Sequence, residues 1–580
     1  GGFHLACDAG NDQALARLRQ RKNRPHKPFA VMPATLEDAR RIARIGPEEE
    51  ALLTSPAHPV VICPLLPHAP DKAISSLVSP DTASIGLMLP YTPLHQTLLD
   101  AFADAVGQRR ATRDEKRPAA LVMTSGNPGG EPICLGNREA LANLGSMADV
   151  FLFHNRDILI RVDDSVVRPL AGRGTLFYRR ARGYVPRPIS LAPPDAVPAA
   201  RDVPPVARGM LFATPDAPPV APDAPPVAPD APPATPDAPP VARGALSATP
   251  DAPSVALREA ERTAAFPVVL GVGAELKNTL CLTKDGDAFV GQHIGDMSTV
   301  DTAAFHQEIR THLSNLLKVR PQAVVRDLHP GYLSGELAER LASENALPLL
   351  GLQHHFAHAH AVLAEHRHQG PALVLALDGT GLGEDGTLWG GEILYVDTAE
   401  TAGPVHRRLA HLAPLALPGG EAAIREPWRI AHALLLRLGL LHADAVQEAD
   451  AIQTANAARA ASSACTADAA QTAKSAQAAD AARTGEDAFP RVAFSPAVAG
   501  QLSPPWLPEY ADAARLLPRM LEKGINTPWS TSCGRWFDAV SAVLGLCNAT
   551  SYEGQAAVRL EEAQCLWDSA YDEEAPRRRY

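Results

Sequence analysis

The chain has 580 residues, 46% of them hydrophobic and 21% charged, which fits a soluble globular protein of two or three domains that each bury a core. Its formal net charge of −11 argues against a nucleic-acid binder that works by bulk charge. No apolar run approaches the roughly twenty residues that span a bilayer, so no membrane partner is expected. Eight scattered cysteines form no C-x-x-C pair, which points to a reducing cytoplasm rather than a zinc ribbon or a disulfide framework. The opening "GGFHLACDAG" has neither a start methionine nor a signal-peptide pattern, as expected for a piece of a longer chain.

In chain order, residues 1–190 show apolar strand-like runs alternating with helical patterns, the mark of an α/β domain. The stretch "LRQRKNRPHKPFAVM" packs Arg19, Arg21, Lys22, Arg24 and Lys27 around a turn. Pro25 and Pro28 break the helix there, so several cations are expected to converge where a phosphate could sit. In "LVMTSGNPGGEPI" an apolar strand runs into small hydroxyl and glycine residues, which can offer N–H and O–H groups to an anion. A third basic run, "YRRARGYVPRPI", closes the block.

Residues 191–262 are low in complexity and repeat the unit "PDAPPVA", where proline removes backbone donors and bars helix, so an extended linker is expected. Residues 263–580 form a second α/β block, with an alanine-rich surface insert at 443–486. Within it, "KDGD" is expected to turn a hairpin, and "VVRDLHPGYLSGELAERLA" to run from strand through a His329-Pro330 turn into helix. Then comes "GLQHHFAHAHAVLAEH". On a helix, His354 and His358 lie one turn apart on one face, the spacing that lets two imidazoles reach one ion, while His355 and His360 point elsewhere. An isolated H-x-x-x-H is as readily a polar helix face as a ligand pair. Asp378, at the end of the next strand in "LALDGTGLGEDGTLWGGE", adds the carboxylate of a two-His-one-carboxylate divalent site, suited to zinc or iron.

The first block resembles the YrdC-like carbamoyl-adenylate domain, with Lys22-Asn23-Arg24 and Lys27 matching its Lys-x-Arg motif and Ser125-Gly126-Asn127 its Ser-x-Asn motif. "GGFHLACDA", "IGLMLPYTPLH", "RVDDSVVRPL" and "RRARGYVPRPI" match more closely the hydrogenase-maturation carbamoyltransferase family, HypF. The second block resembles that family's actin-related, TsaD-like (ASKHA) domain, through "GVGAELKNT", "RDLHPGYLS", "QHHFAHAHA", "LDGTGLGEDGTLWGGE", "TSCGRWFDAV" and "SYEGQAAVRLE". The resemblance implies that ATP, with Mg2+, meets a carbamate derived from carbamoyl phosphate in the first domain. Lys22, Arg24, Lys27, Ser125, Asn127 and Arg182 would line that pocket, Lys22 and Arg24 acting in the chemistry. In the second domain it implies metal ligands at His354, His358 and Asp378, and a nucleotide cleft bordered by Gly534, Arg535, Asp538 and Glu553. The carbamoyl group would pass to a cysteine thiol of a partner protein, HypE, toward the cyanide ligands of a [NiFe]-hydrogenase iron.

The chain departs from the family at both ends. The acylphosphatase-like and zinc-finger parts would lie upstream of Gly1, and the tail "CLWDSAYDEEAPRRRY" does not resemble the family's closing glycine-rich segment. An incomplete second nucleotide site and a weakened metal site are therefore expected, with a nucleotide-binding chain that completes no transfer as the alternative. A tRNA threonylcarbamoyladenosine enzyme uses the same domain types, and YrdC relatives bind RNA. That reading lacks its serine-glycine-glycine-asparagine loop here.

Overall fold

The computed structural model describes residues 1–66, 74–109, 117–170, 172–191, 266–399, 405–441, 504 and 506–571. The proline-rich repeat and the alanine-rich insert lie outside them.

The first block runs β1 (His4–Asp8), α1 (Asp12–Arg21), β2 (Ala30–Pro33), α2 (Leu36–Ile42), α3 (Pro47–Leu53), β3 (Val60–Pro64), β4 (Ser84–Leu87), α4 (Pro93–Arg109), β5 (Ala120–Ser125), α5 (Asn137–Leu144), β6 (Val166–Leu170), β7 (Gly174–Arg179) and β8 (Ile189–Ser190). Seven strands form one mixed sheet in the order β1-β5-β2-β4-β3-β6-β7. The run "ALVMTS" is apolar on both faces because β5 is central: Val122 packs with Val31 and Leu15, while Leu121 and Met123 pack with Met88 and Leu99. Helix α1 starts where Asn11 accepts the Ala14 N–H, and it stops at Lys22 because Asn23 turns left-handed at φ 48° ahead of Pro25.

The second block continues with β9 (Val269–Gly271), β10 (Cys281–Lys284), β11 (Asp287–Val290), α6 (Val300–Leu317), β12 (Ala323–Asp327), α7 (Leu333–Asn345), β13 (Leu349–Leu352), α8 (His354–Glu365), β14 (Pro371–Leu382), β15 (Leu388–Asp397), β16 (Val405–His411) and β17 (Leu415–Ala416). It ends with α9 (Glu421–Arg425), α10 (Trp428–Arg437), α11 (Leu507–Ala514), α12 (Leu517–Lys523), β18 (Trp529–Ser530), α13 (Cys533–Val543) and α14 (Gln555–Tyr571). One sheet has the order β13-β12-β9-β10-β11-β8, and a second has β14-β15-β18-β17 with β16 also on β15. The expected "KDGD" hairpin is present, with Lys284 opposite Asp287 and positive φ at Asp285 (52°) and Gly286 (84°), the twist that tight hairpins need.

Two features depart from the sequence expectation. Strand β8, the last piece of the 1–190 block, pairs with β11 in the second block's sheet, Ser190 opposite Asp287. The expected strand before Asp378 is present but lies at a sheet edge, a placement its apolar run does not announce: Leu373 and Leu375 are 70% and 67% exposed. Helix α14 reaches back to the first block, where the buried Asp81 carboxylate accepts from the Arg559 guanidinium at 2.9 Å and from Gln555 Nε2 at 2.8 Å. Charged groups so deeply placed stay there only when paired and hydrogen-bonded. Among the described residues no helix is long and apolar enough to cross a membrane.

Candidate anion pocket and metal centre

The end of α1 and the end of β5 converge. Lys22, 7% exposed, donates its ammonium protons to Ser125 O (2.6 Å), Asn127 O (2.9 Å) and Asn127 Oδ1 (2.9 Å), so the two predicted motifs meet in one place. Ser125 Oγ donates to Asn127 Oδ1 at 2.7 Å, and Arg24 Nη1 lies 3.3 Å from Thr124 Oγ1. Burial, then the neighbouring Arg24, pushes the Lys22 ammonium down to about 8. Burial, then Arg19 and Arg179, pushes Arg24 down to about 10, and Lys27 is lowered by burial and by Arg24. Lys22 is buried and Arg24 partly so, each held by carbonyl and side-chain oxygens, and Lys27 is exposed beside them; like charges gathered in this way are relieved by an anion.

The other cations of that run do different work. Arg19 is buried and donates to the carbonyls of Leu77, Arg24, Pro25 and Lys27, so it shapes the loop from within. Arg21 pairs at the surface with Asp149 at 2.8 Å. Arg182, predicted as a pocket residue, is not brought to Lys22. Its three guanidinium nitrogens go to Asp164 Oδ1 (3.0 Å), Ala57 O (2.9 Å) and His58 O (2.7 Å), and the group lies 3.5 Å over the Tyr91 ring. Arg179 is the residue of that run whose charge bears on Arg24 and Lys27. A separate cavity of about 380 Å³ along β1, lined by Phe3, Leu94, Met123 and Phe151 among others, includes none of Lys22, Arg24 and Lys27.

In the second block the start of α8 sets the metal candidates. The Gln353 side chain caps the helix, accepting from His355 N (2.8 Å) and Phe356 N (3.0 Å), so His354 opens the first turn and His358 follows one turn later. Their Nε2 atoms stand 3.2 Å apart, and His354 Nε2 is 3.2 Å from Asp378 Oδ2. One ligand atom from each of His354, His358 and Asp378 falls within 4.8 Å of the others. The pairing of β14 with β15 shifts register between Leu377 and Gly381, which swings Asp378 out of the ladder and toward α8. Gly381 must lack a side chain, because a Cβ there would stand 2.5 Å from His355 Cε1 and 2.8 Å from His354 Cδ2. Ser532, at the start of α13, donates its hydroxyl toward Asp378 O (2.8 Å) and Gly379 O (2.6 Å) and holds the loop from below.

The charges of this cluster are tightly coupled. Burial opposes charge on both His354 and Asp378, but their mutual attraction and Asp327 outweigh it, lifting His354 to about 9 and holding Asp378 well below the usual carboxylate range. His354 Nδ1 lies 2.7 Å from Asp327 Oδ2 and Nε2 lies 3.2 Å from Asp378 Oδ2, so the charged ring bridges two carboxylates; once a metal displaces the Nε2 proton, the remaining proton is held on Nδ1 by Asp327. About 2.0–2.1 Å is the normal metal–imidazole bond, and two nitrogens bound tetrahedrally then lie about 3.3 Å apart. The two 3.2 Å spacings that involve His354 therefore suit a divalent ion, and the three donors converge closely enough for one to draw them together.

His355 does not point away as its position on a helix wheel implies. It is fully buried, with Nε2 3.6 Å from Asp378 Oδ2, while Gln353 Nε2 lies 3.1 Å from its Nδ1. His360 does point away, toward His406. Of the four cleft candidates, Gly534 packs against Gly379, and Arg535 Nη2 and Asp538 Oδ2 approach within 2.9 Å in a buried pair. Burial raises Asp538 to about 6 despite Arg535. Glu553 stands apart from these, 3.1 Å from Lys277, and its charge bears on Lys27 of the first block.

Three family models match in order: "Telomere recombination", the Sua5–YciO–YrdC model, over residues 1–181; "HypF Kae1-like domain" over 264–365; and "Carbamoyltransferase, Kae1-like Domain, second subdomain" over 374–485 and 487–578. Carbamoyltransferase HypF2 of Cupriavidus necator is 37% identical over 574 residues, covering 98% of this chain and 53% of that protein. The chain belongs to the HypF carbamoyltransferase family. HypF of Rhizobium leguminosarum bv. viciae is 34% identical over 563 residues, 97% of this chain and 54% of its own length. The crystal structure of full-length HypF in the phosphate- and nucleotide-bound form superposes with TM-score 0.65 at 30% identity, covering 97% of this chain and 54% of that one. The chain thus spans about half the length of the HypF relatives it matches.

Three groups of the HypF-type second domain carry the site without having been singled out in the sequence. Asp327 ends a strand just before a turn, the same signal that marked Asp378, and could have been found by it. Ser532 gives itself away only as a helix cap. Glu392 is wholly buried, bound to Arg408 Nε at 2.7 Å, to Gly390 N at 3.1 Å and to the Thr531 hydroxyl, and so ties β15 and β16 to the segment that holds Asp378.

Proposed function

We propose that this chain is an ATP-dependent carbamoyltransferase of [NiFe]-hydrogenase maturation. The observation that carries the reading is the meeting of buried Lys22 and part-buried Arg24 with the Thr124–Asn127 turn, with Lys27 beside them, in a chain whose matched relatives are HypF carbamoyltransferases. A nucleotide and a phosphate are held by the full-length HypF structure to which this one is similar, which supports ATP as the ligand.

In the first domain, a carbamate oxygen derived from carbamoyl phosphate attacks the α-phosphorus of ATP. The bond to the β-phosphate oxygen breaks, and pyrophosphate leaves as its magnesium complex. Lys22, Arg24 and Lys27 neutralise the triphosphate, and Ser125 and Asn127 orient it, a positioning and charge-stabilising role. In the second domain, a cysteine thiolate of HypE attacks the carbamoyl carbon. The S–C bond forms, the C–O bond to AMP breaks, and AMP leaves. Arg535 and Gly534 border the cleft that receives the adenylate. His354, His358 and Asp378 would hold a zinc or iron ion, which when bound polarises the group in transfer. Asp327 keeps His354 in the tautomer that can bind it.

The test is pyrophosphate exchange into ATP by the purified chain supplied with carbamoyl phosphate or carbamate, followed by transfer to HypE. Exchange with transfer is the expected result. Exchange without transfer would describe a nucleotide-binding chain that completes only the first step, and no exchange would end the carbamoyl-adenylate assignment.

A further inference from the structure

On the face of α8 away from Asp378, His360 meets His406 of β16. Their Nε2 atoms lie 2.7 Å apart, with ring centroids at 5.0 Å and planes inclined by 72°. Both rings are half-buried, so they are ordered yet reachable. His406 is also stacked at 4.4 Å on Phe356, itself 2% exposed, which fixes its orientation. Among the described residues, no carboxylate bears on either ring. The donor set is therefore two convergent imidazoles from a helix and a strand, their ε nitrogens joined to each other by a hydrogen bond whose proton a metal would displace.

The spacing selects among metals. With bonds of about 2.0–2.1 Å, two nitrogens at a right angle lie about 2.9 Å apart, and at a tetrahedral angle about 3.3 Å. The 3.2 Å pair His354–His358 suits the tetrahedral case. The 2.7 Å pair, a hydrogen bond with no metal present, has to open least to reach the right-angled spacing, which belongs to square-planar or octahedral ions, and imidazole-rich sites of that geometry favour Cu(II) and Ni(II). We propose that His360 and His406 form a second metal site, a two-imidazole clamp for Ni(II) or Cu(II), with water in the remaining positions. It is separate from the His354–His358–Asp378 centre and does not depend on the carbamoyltransferase reading.

The experiment titrates Ni2+ alone into the metal-stripped full chain by calorimetry, alongside His360→Gln and His406→Gln. Two equivalents are expected in the parent, and one of them should weaken at least about tenfold in either variant. The other equivalent should stay, and should be the one lost in His354→Ala. Zn2+ should favour that remaining site over the clamp. Thermal melts followed by circular dichroism check that the variants fold, and His406→Asn serves if His406→Gln does not. Identical isotherms in parent and variants would overturn the proposal. So would joint loss of both equivalents, because the pair would then be a hydrogen bond that merely holds α8 in place.

Discussion

His354 Nδ1 and Asp327 Oδ2 meet at 2.7 Å across 27 positions of sequence, joining the first turn of α8 to the end of β12. When the ring gives up a proton to bind a metal, this contact decides which nitrogen becomes free. A carboxylate behind a ligand histidine fixes ring and tautomer and makes the outer nitrogen more basic. Asp327→Ala is therefore expected to lower affinity for zinc about 10- to 100-fold, the usual cost of losing such a partner. Asp327→Asn, which can still accept from Nδ1–H, should lose less. Competition with a chromophoric chelator measures both, and unchanged affinity in Asp327→Ala would remove Asp327 from the site.

The ligand assignment itself divides the histidines. His354→Ala and His358→Ala should each lose zinc that survives dialysis, because each removes one of three converging donors. His360→Ala should keep it, since its ring faces His406 instead. Metal content after dialysis reports the outcome, and equal loss in all three would mean that the helix, not the ligand set, had been damaged.

The anion pocket carries its own pH dependence. Lys22 is lowered to about 8, so in the empty pocket its charge disappears as pH rises through that value. ATP affinity should accordingly fall several-fold between about pH 7 and about pH 9.5, on either side of that value. Lys22→Arg keeps its charge throughout and should show a flatter profile even if its affinity is lower. Isothermal titration at both pH values tests this, and parallel profiles would show that Lys22 does not face the phosphates.

Asp538 predicts a stability profile of the opposite kind to most carboxylates. Its folded value, raised to about 6 mainly by burial, exceeds the ordinary one of about 4. The folded state then binds the proton more tightly than the unfolded state, so stability is full below about pH 4 and declines as pH rises through about 6. At pH 7, Asp538→Asn should be neutral or stabilising by about 1–3 kcal/mol, since each tenfold difference in proton affinity between the two states is worth about 1.4 kcal/mol. It should also flatten the change between about pH 4 and about pH 6. Denaturant midpoints across that range are the measurement, and a variant destabilised at pH 7 would show that the charged carboxylate is needed.

Local chemistry was enough to place much of this molecule. The apolar run of β5, the Asp285-Gly286 hairpin, and the proline stop after Lys22 are all dictated by neighbours within a few residues. So is the helical spacing of His354 and His358. The motifs of the two blocks also sufficed for the family. Tertiary structure alone decided which charges share a pocket. Arg19 and Arg182 read as phosphate ligands by composition, yet neither meets the Ser125–Asn127 turn: Arg19 is tied to loop carbonyls and Arg182 to Asp164. Asp327 and Ser532 reached the metal candidates from a distant strand and a helix cap, with Glu392 bracing the strands behind them. His355 turned inward because the β-bulge after Leu377 left room beside Gly381. A hydrogen bond depends on distance and angle between atoms, and separation along the chain carries no information about either.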